Sequence, residues 1–276
     1  MEIVRAEKYG FCFGVKRAIK IAEEHPGSTT LGPLIHNNME IGRLKEKFDV
    51  SLAHSLDELK DGQATVIRTH GIPKEDLKKL KNKGGKVIDA TCPFVTKPQQ
   101  IVEQMSNEGY DIVIFGDANH PEIKGVMSYA QGPVYAVLGI EDLEKIHLKE
   151  RVALVAQTTR KIEEYHKIIS YLVPRHKEVR VFNTICNATF ENQDAAKELA
   201  QKADVMIVIG GKQSSNTKQL HSICKRHCPD SYHIESKEEL QRSWFENKKV
   251  CGVTAGASTP EWIIEEIIGK IREFKV

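Results

Sequence analysis

The chain has 276 residues, 40% of them hydrophobic and 28% charged, with a formal net charge of +2. That length can bury the core of one, two or three α/β domains. No stretch reaches the roughly 20 apolar residues of a membrane span, and the charge is too close to zero to make nucleic acid the main partner. The N-terminal MEIVRAEKYG carries charges early and lacks the basic start and apolar run of a secretory signal, so a cytoplasmic location is expected. Thiols stay reduced there, and the six cysteines are read as core residues, metal ligands or catalytic groups, not as disulfides.

Taken in chain order, Val- and Ile-rich runs alternate with stretches of helical period, the pattern of α/β units with mainly parallel strands. Cys12 in YGFCFGV leads into the helical VKRAIKIAEEH, then into TTLGPLIHN, where the polar turn holds His36 and Asn37. The next apolar run, VIRTHG, ends at His70. Cys92 in ATCPFVTK opens TKPQQIVEQMSNEG and then DIVIFGDANHPE, with His120 and Glu122 in its turn; RVALVAQTT follows and ends at Thr158. Cys186 in NTICNATF opens ENQDAAKELAQKA and then DVMIVIGGKQSSN, with Ser214, Ser215 and Asn216; VCGVTAGAST ends at Ser258.

The order cysteine, helix, strand, polar turn thus occurs three times. The cysteine lies 24, 28 and 28 residues before His36, His120 and Ser214. Three related α/β lobes are expected, over residues 1–91, 92–184 and 185–276, with six polar turns at carboxyl ends of strands. Such ends gather ligands, because the following helix offers unpaired N–H groups and the positive end of its dipole. A pseudo-threefold packing would place the turns and the three cysteines around one centre.

A lone cysteine is more often a small buried hydrophobe than a ligand. Cys12, Cys92 and Cys186 differ in that each immediately precedes a helix, where thiolate is favoured. Cys224 and Cys228 in HSICKRHC, with His221, imitate a zinc site but have no second cluster beside them, and Cys251 sits inside a strand pattern, so these three are read as packing. Ser214, Ser215, Asn216 and Ser258 have a capping explanation as well, and Ser258-Thr-Pro-Glu261 fits a capping box. Glu122, the one carboxylate in the six turns, is the best candidate proton donor if burial raises its pKa.

The strings GFCFGV, IHN, THG, DATCPFVTK, HPE, QTT, SSN and VTAGAS, in this order, resemble the 4-hydroxy-3-methylbut-2-enyl diphosphate reductases, the IspH or LytB family of the non-mevalonate isoprenoid route. The resemblance spans essentially the whole chain. It implies three α/β lobes around a [4Fe-4S] cluster held by Cys12, Cys92 and Cys186, with one iron open to the substrate hydroxyl. It implies diphosphate binding by His36, His70, His120, Ser214, Ser215, Asn216 and Ser258, a proton from Glu122, and Thr158 beside the substrate in the relay. The reaction would be a two-electron reductive dehydroxylation to isopentenyl and dimethylallyl diphosphates, with ferredoxin or flavodoxin as electron donor. Two positions depart from many members: Thr69 stands where Ala precedes HG, and Gln99 where His follows CPFVTKP. A zinc-dependent phosphohydrolase and an iron–sulfur sensor protein are the alternatives that the residues leave open.

Overall fold

The apolar runs fold as strands and the amphipathic stretches between them as helices. A computed structural model describes residues 1–35 and 37–274, with nothing said of the side chains of Thr189 and Ser215. Among the described residues the elements are β1 (Glu2–Arg5), α1 (Phe13–Glu23), β2 (Thr29–Leu31), α2 (Asn38–Phe48), β3 (Ser51–Ala53), β4 (Thr65–Ile67), α3 (Lys74–Asn82), β5 (Val87–Asp89), α4 (Pro93–Asn107) and β6 (Asp111–Phe115). There follow α5 (Pro121–Met127), β7 (Val134–Val137), α6 (Ile140–Leu143), β8 (Arg151–Ala156), α7 (Ile162–Leu172), β9 (Glu178–Val181), α8 (Asn187–Ala200), β10 (Val205–Ile209), α9 (Ser215–His227), β11 (Ser231–Ile234), β12 (Val250–Ala255) and α10 (Glu261–Glu273). No helix among the described residues is long and apolar enough to cross a membrane.

The strands form three four-stranded sheets in the orders β3-β2-β4-β5, β7-β6-β8-β9 and β11-β10-β12-β1. Every pair is parallel, with registers such as Thr29↔Thr65, Val113↔Leu154 and Ile207↔Val253. In each sheet the central pair, β2 and β4, β6 and β8, or β10 and β12, is almost wholly buried, whereas the outer strands are partly exposed. Continuous apolar runs therefore mark the central strands, as they should when helices cover both faces. Around β10 and β12 the core is an isoleucine cluster completed by Ile263, Ile264, Ile267, Ile268 and Ile271 of α10. Around β6 and β8 it is completed by Ile101, Val102 and Met105 of α4.

Counting lobes from their cysteines leaves Glu2–Arg5 with the first third of the chain. The structure places that strand elsewhere: β1 pairs with β12, with Glu2 opposite Val250 and Arg5 opposite Val253. It fills the position that β5 and β9 fill in the other two sheets. Each cysteine accordingly lies on the connection that leaves one sheet by its fourth strand and enters the next by a helix. By packing, the chain divides into two compact units: Met1–Lys16 with Ile35–Lys47 and Asn187–Val276, and Arg17–Leu34 with Phe48–Cys186. The first holds one sheet and the second holds two.

A glycine follows β2, β6 and β10 at the first residue of each polar turn. The N–H groups of Gly32, Gly116 and Gly210 donate to the carbonyls of Ala53, Val137 and Ile234 at 2.7, 2.9 and 2.9 Å, which closes each turn onto the neighbouring outer strand. At Gly116 a Cβ would stand 2.9 Å from Ile123 Cδ1 and 3.0 Å from Gln157 Cβ, and at Gly210, where φ is +147°, it would stand 2.7 Å from Thr259 Oγ1. Gly116→Ala should therefore lower stability by about 1–3 kcal/mol. Gly269→Ala, inside α10 with nothing within 4 Å of the new Cβ, should raise it by up to about 1 kcal/mol. Urea midpoints check both; equal midpoints for the two variants would contradict the tight turn.

Candidate active site

Cys12, Cys92 and Cys186 are outside any disulfide and half-buried, and each occupies the residue before a helix, α1, α4 and α8. Their backbones share one contact. The N–H of Cys12 donates to the carbonyl of Ala257 at 3.2 Å, that of Cys92 to Thr69 at 3.0 Å, and that of Cys186 to Thr158 at 2.8 Å. Each acceptor is the second residue beyond β12, β4 or β8, so all three cysteines meet equivalent points of the fold. Pro93 supports the arrangement at α4, because its missing N–H is an orphan in a first helical turn. The other cysteines are buried, and burial pushes the thiols of Cys224 and Cys251 up to about 12. His221 is turned to the carbonyl of Ser231 at 3.0 Å. These are packing residues.

The unit built from Arg17–Leu34 and Phe48–Cys186 holds Cys92, Cys186, His70, His120, Glu122 and Thr158. Glu122 is 2% exposed and is gripped from one side. Its Oε1 accepts the N–H of Thr158 at 2.8 Å and its Oε2 accepts the Thr158 hydroxyl at 2.7 Å. Burial raises the Glu122 pKa, and the two Thr158 donors only partly offset this. Thr158 thus binds the acid with its amide and hydroxyl while its carbonyl holds Cys186.

His120 caps α5, its Nδ1 accepting the N–H of Glu122 at 3.2 Å. That bond sets the proton of a neutral His120 on Nε2, the nitrogen that can donate to an anion. His70 meets His120 edge to face, ring centroids 5.5 Å apart. Gln99, one of the two departures, is buried beneath this turn, its Nε2 2.9 Å from where a Cβ on Gly71 would lie; φ of +72° at Gly71 already requires glycine.

The other unit holds Cys12, Ser214, Asn216 and Ser258. His36 and the side chain of Ser215 lie outside the described residues. Ser214 caps α9 by accepting the N–H of Thr217 at 3.3 Å. Beside it, both polar atoms of the Asn216 side chain are buried without a hydrogen-bond partner among the described residues, and so is Thr217 Oγ1. A desolvated amide with nothing to bond to costs stability. Ser258 does not start a capping box. Pro260, which has no side-chain acceptor, holds the N-cap of α10, and the Thr259 N–H turns back to the carbonyl of Gly256 at 2.9 Å. The helix begins three residues beyond Ser258.

Residues that sequence reasoning passed over include the three turn glycines, although LGPL, FGDA and IGGK display them. Arg17 is another; its Nη1 donates to the carbonyl of Thr91, next to Cys92, at 3.1 Å. Thr184 both accepts the N–H of Ala156 at 2.8 Å and donates to its carbonyl at 2.6 Å, closing the end of β8 just before Thr158. Among the described residues, no three His, Cys, Asp or Glu side chains gather as ligands of a single metal ion.

Three parallel sheets, with hydroxyl, amide, imidazole and thiol groups at the carboxyl ends of their strands, define an α/β protein. The chain belongs to the LytB protein family, whose model matches residues 3–272. It is 68% identical to the 4-hydroxy-3-methylbut-2-enyl diphosphate reductase of a Nitratiruptor species, over 100% of both chains, and 63% identical to that of Campylobacter curvus, over 99% and 100%. Among solved structures it is similar to an (E)-4-hydroxy-3-methyl-but-2-enyl diphosphate reductase, the terminal enzyme of the non-mevalonate pathway, with a TM-score of 0.80, 46% identity and coverage of 99% and 100%. It is also similar to the E-1-hydroxy-2-methyl-but-2-enyl-4-diphosphate reductase of Plasmodium falciparum, with a TM-score of 0.85, 27% identity and coverage of 97% and 87%.

The raised Glu122 pKa has a signed consequence. The folded protein binds this proton more tightly than the unfolded chain does, so the resulting stability is complete below the ordinary glutamate value and is lost as pH rises through the raised one. In thermal melts across pH, Glu122→Gln should gain on the wild type as pH rises. Parallel curves would show that Glu122 titrates as an ordinary glutamate.

Proposed function

We propose that this protein reduces 4-hydroxy-3-methylbut-2-enyl diphosphate to isopentenyl and dimethylallyl diphosphates. Two electrons and two protons enter, the allylic C–O bond breaks, and the hydroxyl leaves as water. The observation that carries this reading is the double role of Thr158, which grips a buried Glu122, whose pKa burial raises, and anchors the backbone of Cys186. An acid and a metal-binding thiol are thereby tied to one residue, the arrangement needed where a proton and electrons meet at one departing hydroxyl.

Three equivalent half-buried thiols at helix starts, set against three inert ones in the core, suit a [4Fe-4S] cluster with three protein ligands. A cluster spreads its thiolates over different irons, so it does not require the crowding of a single-ion site. When bound to Cys12, Cys92 and Cys186, it would supply electrons and Lewis acidity toward the substrate hydroxyl. The protein's own groups do the rest. Glu122 gives its proton to the leaving oxygen, and the Thr158 hydroxyl keeps the acid oriented and beside the substrate.

Neutral donors and imidazoles hold the diphosphate: His36, His70 and His120 by ring N–H groups, and Ser214, Ser215, Asn216 and Ser258 by hydroxyl and amide groups. The orphaned amide of Asn216 is the clearest sign of such a guest. Electrons come from a ferredoxin or a flavodoxin.

Protein purified without oxygen should contain iron and acid-labile sulfide, and should oxidise a low-potential donor only when the hydroxylated diphosphate is present. Absence of turnover by cluster-replete protein, or zinc in place of iron, would overturn the function. Serine at Cys12, Cys92 or Cys186 should remove most of the iron and sulfide, whereas Cys251→Ser should retain both. Glu122→Gln should keep the cluster and lose about 10²–10⁴-fold in kcat, the usual weight of a positioned acid; unchanged turnover would remove Glu122 from its role.

A further inference from the structure

The helix α2 leads away from the turn holding Asn37, and α10 leads away from the turn holding Ser258. One buried carboxylate joins them. Glu40, 1% exposed, accepts Arg43 Nε at 2.9 Å and Arg43 Nη2 at 2.6 Å, and accepts the indole N–H of Trp262 at 2.8 Å. Its own backbone N–H donates to Oδ1 of the buried Asn37 at 3.0 Å, and the Asn37 carbonyl accepts the N–H of Ile41 at 3.1 Å. The pair with Arg43 is local, three residues apart on one helical face. The bond to Trp262 spans 222 positions of sequence.

The far end of this bond is itself fixed. The Thr259 hydroxyl donates to the carbonyl of Ile209, at the end of β10, at 3.1 Å. The segment before Cys12 closes on the same turn, with the Gly10 N–H on the carbonyl of Ala255 at 3.0 Å, and a Cβ at Gly10, whose φ is +68°, would stand a tight 3.3 Å from the Thr259 carbonyl. The start of α10 is thus fastened to the end of β10 and to the Gly10 segment, and Glu40 ties the Asn37 turn to it. Packing alone does not call for a charge here, since apolar residues of similar volume hold two helices at least as well as a buried ion pair. What charged and indole hydrogen bonds add is direction, because they fix the rotation of α2 as well as its distance.

We propose that Glu40 and Trp262 are positioning residues for the substrate's diphosphate end. They touch no substrate, and they hold the Asn37 turn in register with the Ser258 turn. This rests on the reading of those turns as the diphosphate site.

The test compares Trp262→Phe, which keeps the ring and removes the donor, with Glu40→Gln and the wild type, all as cluster-loaded enzyme. KM for the hydroxylated diphosphate and Kd for inorganic diphosphate, the latter by calorimetry, should rise together by about tenfold, the value of one well-placed hydrogen bond. The kcat should stay within about twofold. A merely structural bond would lower the melting temperature and leave KM and Kd unmoved, and that result would overturn the proposal. If Glu40→Gln does not fold, Trp262→Phe decides alone. Failure of the wild type to turn over would strike the functional reading instead, and the calorimetry would still report on the clamp.

Discussion

Three backbone hydrogen bonds organise this protein. In each, the amide of a cysteine donates to the carbonyl two residues past a central strand: Cys12 to Ala257, Cys92 to Thr69 and Cys186 to Thr158. Each bond fastens the connection that leaves one sheet and opens the next helix to a polar turn. The thiols are thereby presented where strand ends and helix starts coincide, and where unpaired N–H groups and helix dipoles already favour negative charge. A cysteine held this way is positioned through its backbone, by the fold itself.

Two kinds of polar group are then kept dry for different reasons. Burial raises the Glu122 pKa, and Thr158 supplies hydrogen bonds that orient the carboxyl and only partly offset that rise. The side-chain amide of Asn216 is buried without a partner among the described residues, a cost that a bound ligand would offset. The His120 cap shows a third use of geometry. By accepting an amide at Nδ1 the ring is set to donate through Nε2, so a neutral imidazole serves as well as a charged one.

Much of this was legible in the residues. Helical period after each cysteine, apolar runs and polar turns located the repeated cysteine, helix, strand and turn because those signals are local. The partner of β1 was not legible, since parallel pairing with β12 is decided by which sheet edge is left open when the chain closes on itself. Ser258 looked like a cap because its spacing to Glu261 is right; Pro260 decides otherwise, a matter of backbone direction that a pattern of residue types does not carry. Nothing in the helix NMEIGRLKEKF sets Glu40 apart, because the indole of Trp262 that bonds it lies 222 positions away in sequence. The metal and the substrate came from resemblance to a family, because three cysteines spaced by tens of residues specify neither.

The central claim is that three cysteines hold a cluster whose fourth iron takes the substrate hydroxyl. Mössbauer spectroscopy of the anaerobic protein, loaded with enriched iron and recorded with and without the hydroxylated diphosphate, tests it most directly. One of the four iron sites should shift when the substrate is added, and the other three should keep thiolate-like parameters. Four equivalent sites that ignore the substrate would contradict it.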